Sequence, residues 1–278
     1  MSISFSAIFV RLASVSPVTA TVFRAAYAVP VLVVVSAFDP PAGRSTGRER
    51  RLAFISGLIL TADLTLWHES IALIGAGLGT IIPNVQVVFV ALASWVLYSE
   101  RPSARTGAVI AAVLCGVTLT SGFARAGAYG SDPVLGAVLG VLAGVTYAAF
   151  LLVFRAANAS LAPTAGPLLD STLGTLLGGF LCAPFDPHFA LMPTWPAHLW
   201  LGLLALVSQV VGWLLIATAL PRLPAVETSI MLLGQPIFAV IWGVLLFDER
   251  LSGIQWTGSA LVLAGVATLS VSRPMTRP

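Results

Sequence analysis

Charged side chains are scarce in this sequence, and lysine is missing from it altogether. Charged residues make up only 9% of the 278 positions, against 58% hydrophobic residues, whereas soluble domains carry roughly 25% charged residues. A chain this apolar lacks the polar side chains that would cover a surface in water. The composition therefore excludes an ordinary soluble domain and predicts an integral membrane protein.

Cysteine and catalytic motifs are equally scarce. The two cysteines, Cys115 and Cys182, lie in apolar stretches without metal-ligand spacing, which is typical of small packing residues. The sequence contains no HExxH motif. The Gly75-x-Gly77-x-Gly79 run follows no strand, so we interpret it as helix packing rather than a nucleotide loop. We therefore expect no metal, no cofactor, no nucleic acid and no enzymatic activity.

Long apolar runs, by contrast, fill the chain. A membrane-spanning helix needs about 20 mostly apolar residues, and clusters such as Asp132-Pro133 and Asp186-Pro187 separate runs of this kind. The runs are continuous, which excludes the alternating strands of an outer-membrane barrel. We predict an all-α integral membrane protein with ten transmembrane helices. The predicted spans are 1–13, 17–38, 52–73, 75–98, 106–123, 134–157, 163–185, 197–219, 225–247 and 253–272.

Arginine is distributed unequally between the two sides of these spans. Short cytoplasmic loops collect basic residues, so we predict that both termini are cytoplasmic, in the inner membrane of a bacterial cell. The side that holds both termini has Arg44, Arg48, Arg50, Arg51, Arg101, Arg105, Arg155, Arg222, Arg273 and Arg277, and the other side has Arg11, Arg125 and Arg250.

The two halves of the chain align with each other. Residues 72–120 match 221–269 without a gap at charged, amide and glycine positions. Five helices in each half is an odd number, so the second half would insert in the opposite direction, as in many secondary transporters. We predict two inverted repeats, 1–125 and 134–278, and we expect the natural first helix to be longer than the span here. The matched pairs include Gln86 with Gln235, Glu100 with Glu249 and Gly116 with Gly265.

Several short segments, in a fixed order and spacing, carry a family resemblance. They are Ser4-Phe5-Ser6-Ala7, Phe23-Arg24, Glu100-Arg101-Pro102, Arg222-Leu223-Pro224-Ala225, Gln235-Pro236-Ile237-Phe238 and Asp248-Glu249-Arg250-Leu251. They resemble EamA-type members of the drug/metabolite transporter superfamily, and most of all the YddG-type exporters of aromatic and other amino acids. The resemblance implies ten helices in two inverted units that move amino acids, other metabolites or drugs. One departure is Val87, where many relatives have proline; here Pro83 lies one turn earlier.

Ionisable side chains within a span are costly and mark a function or a partner. Counting along the spans places Asp63 near the midplane, and Glu69 and Arg24 nearer the outer face. We expect Glu69 to pair with Arg24 or Arg11, as a strut between helices or as a gate. The ionisable residues within spans are Arg24, Asp63, His68, Glu69, Asp170 and Glu227, and of these Asp63, Glu69, Arg24 and Asp170 form the predicted proton-coupling or gating set.

Uncharged polar and aromatic side chains at mid-depth are expected to line the binding cavity. Amides there otherwise lack partners, although hydrogen bonding between helices is a close alternative. His68 is a candidate proton carrier or a helix-packing residue. The predicted substrate-binding set is Asn84, Gln86, Gln235, Tyr147, Trp213, Gln209 and His68.

These features predict a monomeric secondary transporter that binds a small molecule within the lipid bilayer. Export of amino acids by alternating access is the first hypothesis. An intramembrane enzyme, a channel and proton-coupled drug efflux are the alternatives.

Overall fold

The computed structural model describes residues 2–38, 45–86, 88–89, 92–93, 104–120, 129–158, 165–219 and 225–271. This part of the chain is helical and contains no strand, which agrees with the all-α prediction. Short 3-10 segments cover Ser2–Phe5, Ile82–Val85 and Ala183–Phe185. The helices are α1 (Ser6–Ala13), α2 (Pro17–Ala37), α3 (Gly47–Ile81), α4 (Ala104–Thr120), α5 (Pro133–Ala157), α6 (Ala165–Cys182), α7 (Trp195–Leu203), α8 (Trp213–Ala219), α9 (Ala225–Phe247) and α10 (Gly253–Val271).

Polar caps explain where three of these helices begin. The Ser16 hydroxyl accepts a hydrogen bond from the Thr19 N–H at the start of α2, where Pro17 occupies the first helical position. Asp132 caps α5 in the same way, ahead of Pro133. Thr46 and Glu49 form a reciprocal capping box at the start of α3. Helix α3 therefore begins at Gly47, five residues before the predicted span.

Helix α3 contains the predicted boundary between the third and fourth spans. Gly75 has φ 83° and ψ 170°, a conformation that interrupts the helix and that suits glycine. The second part of α3 thus starts as a new helix at Ala76. The predicted boundary between spans 52–73 and 75–98 falls at this break.

A π-helical segment, Leu204–Gly212, connects α7 to α8. Such segments are rare, and they are frequent at functional sites because the extra residue per turn changes the direction of neighbouring side chains. The sequence predicts one regular helix over 197–219, and this prediction missed the π-helical turn.

Five helices of the described residues are long and apolar enough to cross a membrane. Shorter apolar helices cover Ile3–Ala13, Gly107–Thr120 and Gln235–Phe247. The motif Glu100-Arg101-Pro102 and the side chain of Glu227 lie outside the described residues. The five candidate spans are Pro17–Ala37, Gly47–Val85, Pro133–Ala157, Ala165–Phe185 and Trp195–Ile216.

Helix α3 packs closely against α6 through two glycines. A Cβ atom on Gly57 would lie 1.8 Å from the Ser171 carbonyl oxygen, and one on Gly174 would lie 2.0 Å from the Phe54 carbonyl oxygen. Small residues at such interfaces let two backbones approach each other within a membrane. The Thr61 hydroxyl, which donates to the Thr175 carbonyl oxygen at 3.1 Å, adds a polar contact at this interface.

We predict that Gly57→Ala destabilises the protein. Alanine favours a helix by about 0.5–1 kcal/mol over glycine, but the clash with the α6 backbone should cost about 1–3 kcal/mol or more, so the net effect is a loss. Thermal unfolding in detergent measures it. Gly107→Ala is the matched control, because a Cβ there meets nothing within 4 Å; equal melting temperatures for the two variants would contradict this packing.

Candidate functional site

A cluster of polar residues lies inside the helical bundle and forms the candidate binding site. We call Arg24, Asp63, His68, Tyr147 and Gln209 the central cluster. Arg24 on α2 is only 4% exposed, and its charge interacts with Asp63 and Tyr147. Asp63 and His68 come from α3 and Tyr147 from α5, while Gln209 belongs to the π-helical segment.

Two side chains from distant parts of the chain hold Arg24. Its Nε donates to Gln209 Oε1 at 2.7 Å, and its Nη1 donates to Ser6 Oγ at 3.0 Å. Gln209 is held in turn because its Nε2 donates to Thr172 Oγ1 at 3.3 Å. A planar guanidinium fixed at two of its nitrogens keeps a defined direction for its remaining N–H donors. Ser6 and Thr172 were not among the predicted site residues.

Asp63 has a different environment. Its side chain is buried, with the residue 6% exposed, yet no ion pair of the described residues includes it. The Arg24 guanidinium lies within electrostatic range of this carboxyl group, but the two groups form no ion pair. A carboxylate in a medium of low polarity needs hydrogen-bond donors or a cation nearby. Asp63 is therefore suited to receive a cationic group.

His68 is fully buried next to the start of α2, with the residue 2% exposed. Its Nδ1 lies 3.3 Å from the Pro17 carbonyl oxygen. A carbonyl oxygen only accepts, so the geometry assigns the ring proton to Nδ1. Nε2 is then left as an acceptor, and it has no hydrogen-bond partner within the part of the chain that the structure describes.

Aromatic rings form one wall beside the central cluster. Tyr147 lies 6.4 Å from Trp213 and 5.7 Å from Phe150 between ring centroids. Phe154 continues the wall, with its ring centroid 6.2 Å from that of Trp213. Together the rings offer an apolar surface next to a polar one, as small-molecule sites commonly do.

Of the four predicted binding amides, only Gln209 joins this cluster through a hydrogen bond among the described residues. Asn84 Nδ2 donates to the Thr80 and Ile81 carbonyl oxygens of its own helix, at 2.8 and 3.2 Å. Gln86 Oε1 is buried without a partner among the described residues. Gln235 is half-buried. Their roles in substrate binding stay predictions.

The expected pairing of Glu69 with an arginine is wrong. Glu69 is exposed, whereas Arg11 pairs with Glu249 and Arg24 bonds Gln209. Asp170 also lies away from the central cluster, since it accepts two hydrogen bonds from Arg50, at 3.0 and 3.1 Å. That bidentate pair joins the first turn of α3 to the second turn of α6, so it resembles a strut between helices.

A second cluster surrounds the carboxylate of Glu249, just after α9. Glu249 Oε1 accepts from the Ala76 N–H at 2.7 Å, and Oε2 accepts from the Gly77 N–H at 3.0 Å. Arg11 pairs with the same carboxylate and donates through Nη2 to the Tyr129 hydroxyl at 3.3 Å. We call Arg11, Ala76, Gly77, Tyr129 and Glu249 the Glu249 cluster; Glu249 was matched with Glu100 in the predicted repeat, but these partners were not predicted.

Two surface cavities, each of about 280 Å³, lie outside the central cluster. One adjoins the Glu249 cluster, where Arg11, Ile71, Gly75 and Tyr129 line it. The other lies at the start of α3 and is lined by Thr46, Arg48, Glu49, Leu52 and Ala156. Among the described residues no group of three or more His, Cys, Asp or Glu side chains could hold a metal ion.

Comparisons with known proteins give consistent results. The profile of the EamA-like transporter family matches residues 1–122 and 134–271. An uncharacterized transporter of Synechocystis sp. is 27% identical over 221 residues, 78% of this chain and 65% of that protein. The chain thus spans less than two thirds of that relative. The uncharacterized transporter YwfM of Bacillus subtilis (strain 168) is 25% identical over 80% of this chain and 73% of its own length.

One solved crystal structure has the same fold. It covers 96% of this chain and 94% of its own, with a TM-score of 0.60 and 19% sequence identity.

A double-mutant cycle tests whether Asp170 and Arg50 form a structural strut. We expect Asp170→Asn and Arg50→Gln each to lower thermal stability, and the double variant to lose less than the sum, with a coupling of about 1 kcal/mol. The coupling is modest because the Arg50 side chain is 65% exposed. Additive losses, or a shift in the pH profile of transport in Asp170→Asn, would instead favour a coupling role for Asp170.

Proposed function

This chain belongs to the EamA-like transporter family, and from that premise we propose that it exports amino acids by alternating access. Its matched relatives carry the name transporter, so the chain is a multi-pass membrane transporter and not an enzyme. Amino acids as substrate, the direction of transport and the mechanism are the proposal.

The Arg24–Asp63 arrangement carries the proposal. A guanidinium and a carboxyl group are both buried, with Arg24 4% and Asp63 6% exposed, and Asp63 takes part in no ion pair of the described region. An amino acid is a zwitterion, with a carboxylate and an ammonium group on one carbon atom. Its carboxylate would bind the remaining N–H donors of Arg24, and its ammonium would bind Asp63. Binding would therefore give both buried groups a partner.

Two further observations support an amino acid as the ligand. His68 Nε2 is a buried acceptor without a described partner, and it suits a second hydrogen bond from an ammonium group. The wall of Tyr147, Phe150 and Trp213 suits an apolar or aromatic side chain. The site would thus favour aromatic and large aliphatic amino acids over charged ones.

Alternating access would use the two halves of the chain. The central cluster draws Arg24 and Asp63 from the first half and Tyr147 and Gln209 from the second, and the family profile matches each half separately. Ten spans in two inverted units, with both termini in the cytoplasm of a bacterial cell, would let the halves rock around this cluster. We propose a monomer that works by facilitated diffusion, because the central cluster contains one carboxylate rather than an acidic pair.

Proton-coupled drug efflux is the second candidate function. The observation that favours it is His68 Nε2, a buried acceptor without a hydrogen-bond partner among the described residues, since an imidazole nitrogen is a common proton acceptor. In this reading protonation of the central cluster would alternate with binding of an apolar cation.

Uptake into proteoliposomes tests both functions. With a panel of labelled amino acids, we expect saturable flux that is greatest for aromatic substrates and unchanged by a pH gradient. Arg24→Gln should lower that flux about 10- to 100-fold, since a hydrogen bond to a charged group contributes about 1.5–3 kcal/mol. Asp63→Asn should act similarly.

Arg48→Gln is the matched control, because Arg48 is exposed and lies far along α3 from the cluster; its flux should equal that of the parent. Flux of a lipophilic cation that depends on the pH gradient would favour drug efflux. Amino-acid flux that survives Arg24→Gln at the parental level, in a variant that elutes as folded protein, would refute the assignment of the site.

A further inference from the structure

The Glu249 cluster connects four segments of the chain, whereas a contact between two helices connects only two. The carboxylate follows α9, Arg11 lies on α1, and the Ala76 and Gly77 N–H groups begin the second part of α3. Tyr129 precedes α5, and its backbone N–H donates to Gln255 Oε1 on α10 at 3.0 Å. Residues of both halves thus meet at one buried carboxylate, which is 2% exposed.

Backbone geometry on both sides directs Glu249 to this position. Asp248 has φ 51°, a left-handed conformation that ends α9 and turns the next side chain inward. Gly75 opens the opposite side, because a Cβ there would lie 2.6 Å from Glu249 Oε1. The Ala76 and Gly77 N–H groups donate to the carboxylate. They lie at a helix N-terminus, where N–H groups have no acceptor within the helix and a negative charge is favourable.

Among the described residues, the hydrogen bonds and the ion pair of the Glu249 carboxylate all reach other segments of the chain. These contacts can therefore separate without breaking a hydrogen bond inside a helix. The Gly57 and Gly174 contacts differ, since they bring the α3 and α6 backbones together over several turns. A cavity of about 280 Å³ already adjoins the cluster, and Arg11 lines it with 30% of its side chain exposed.

We propose that Glu249 is a latch that holds this end of the transporter closed, and that its carboxylate leaves Ala76, Gly77 and Arg11 when this end opens. The inference rests on the alternating-access mechanism proposed above. In the closed state α9 and the second part of α3 are held together, so solutes do not pass the cavity beside Arg11. In the open state water and the Tyr129 hydroxyl satisfy the groups that the carboxylate releases.

The reactivity of a buried cysteine tests the latch without any substrate. In a background in which Cys115 and Cys182 are alanine, Ile71→Cys places a thiol in the cavity wall, at a position 2% exposed. Intact spheroplasts receive a membrane-impermeant thiol reagent on the outer face. We expect Glu249→Gln to raise the labelling rate at least tenfold. The amide forms no ion pair with Arg11, and its own N–H donors face the N–H donors of the helix, so part of the hydrogen bonding is lost.

Asp248→Asn is the matched control, since Asp248 is exposed and pairs only with its neighbour Arg250 among the described residues; its labelling rate should equal the parental one. Ala72→Cys, exposed in the same cavity, should react in every variant and so reports which side the reagent reaches. If it does not react, the assay moves to inside-out vesicles.

Arg11→Gln provides a second variant in case Glu249→Gln fails to fold, and it should raise the rate as well because it removes the ion pair. Rates within twofold of the parent in the folded variants would overturn the latch. This result is separate from the amino-acid proposal, because thiol labelling needs no transported solute, whereas loss of amino-acid flux with normal gating would refute only the substrate.

Discussion

The hydrocarbon core of a membrane offers no hydrogen bonds, so each polar group placed there must find a partner within the protein. This constraint shapes both clusters. Arg24 is acceptable inside the bundle because Ser6 and Gln209 bind it, and Glu249 is acceptable because two N–H groups and Arg11 surround it. Without these partners, either side chain would be a buried charge with no hydrogen-bond partner, and only water or unfolding could supply one. Within the described residues Asp63 forms no ion pair and His68 Nε2 has no hydrogen-bond partner, so a ligand at the proposed site would contribute partners to both.

The positions of the helices follow from local features of the sequence. Pro17 and Pro133 stand at first helical positions behind Ser16 and Asp132, and these caps are visible without a structure. The break at Gly75 was predictable in place, because an apolar run too long for one span must be divided. The capping box that starts α3 at Gly47 could also be recognised in the sequence. Charged residues in the first turn lower the local hydropathy, however, so a hydropathy count leaves this turn out of the span.

Partners in space were much harder to predict than positions along a helix. Counting residues places His68 and Glu69 at nearly the same depth, yet a helix turns about 100° per residue, so one is buried and the other exposed. Depth alone could not show that Arg11 would pair with Glu249, 238 residues away. No sequence pattern predicted the π-helical segment either, although Gln209, which binds Arg24, belongs to it.

Helix α1 links the two clusters physically. Ser6 binds Arg24 in the central cluster, and Arg11 binds Glu249, five residues and about 7.5 Å farther along the same helix. Phe5, stacked on Trp242 with 5.4 Å between ring centroids, ties the start of this helix to α9. A shift of α1 large enough to release Glu249 would also move the Ser6 hydroxyl that orients the guanidinium of Arg24. Binding at the central cluster and opening beside Glu249 are therefore expected to influence each other through one short, rigid element, with no need for a chain of side-chain rearrangements between them.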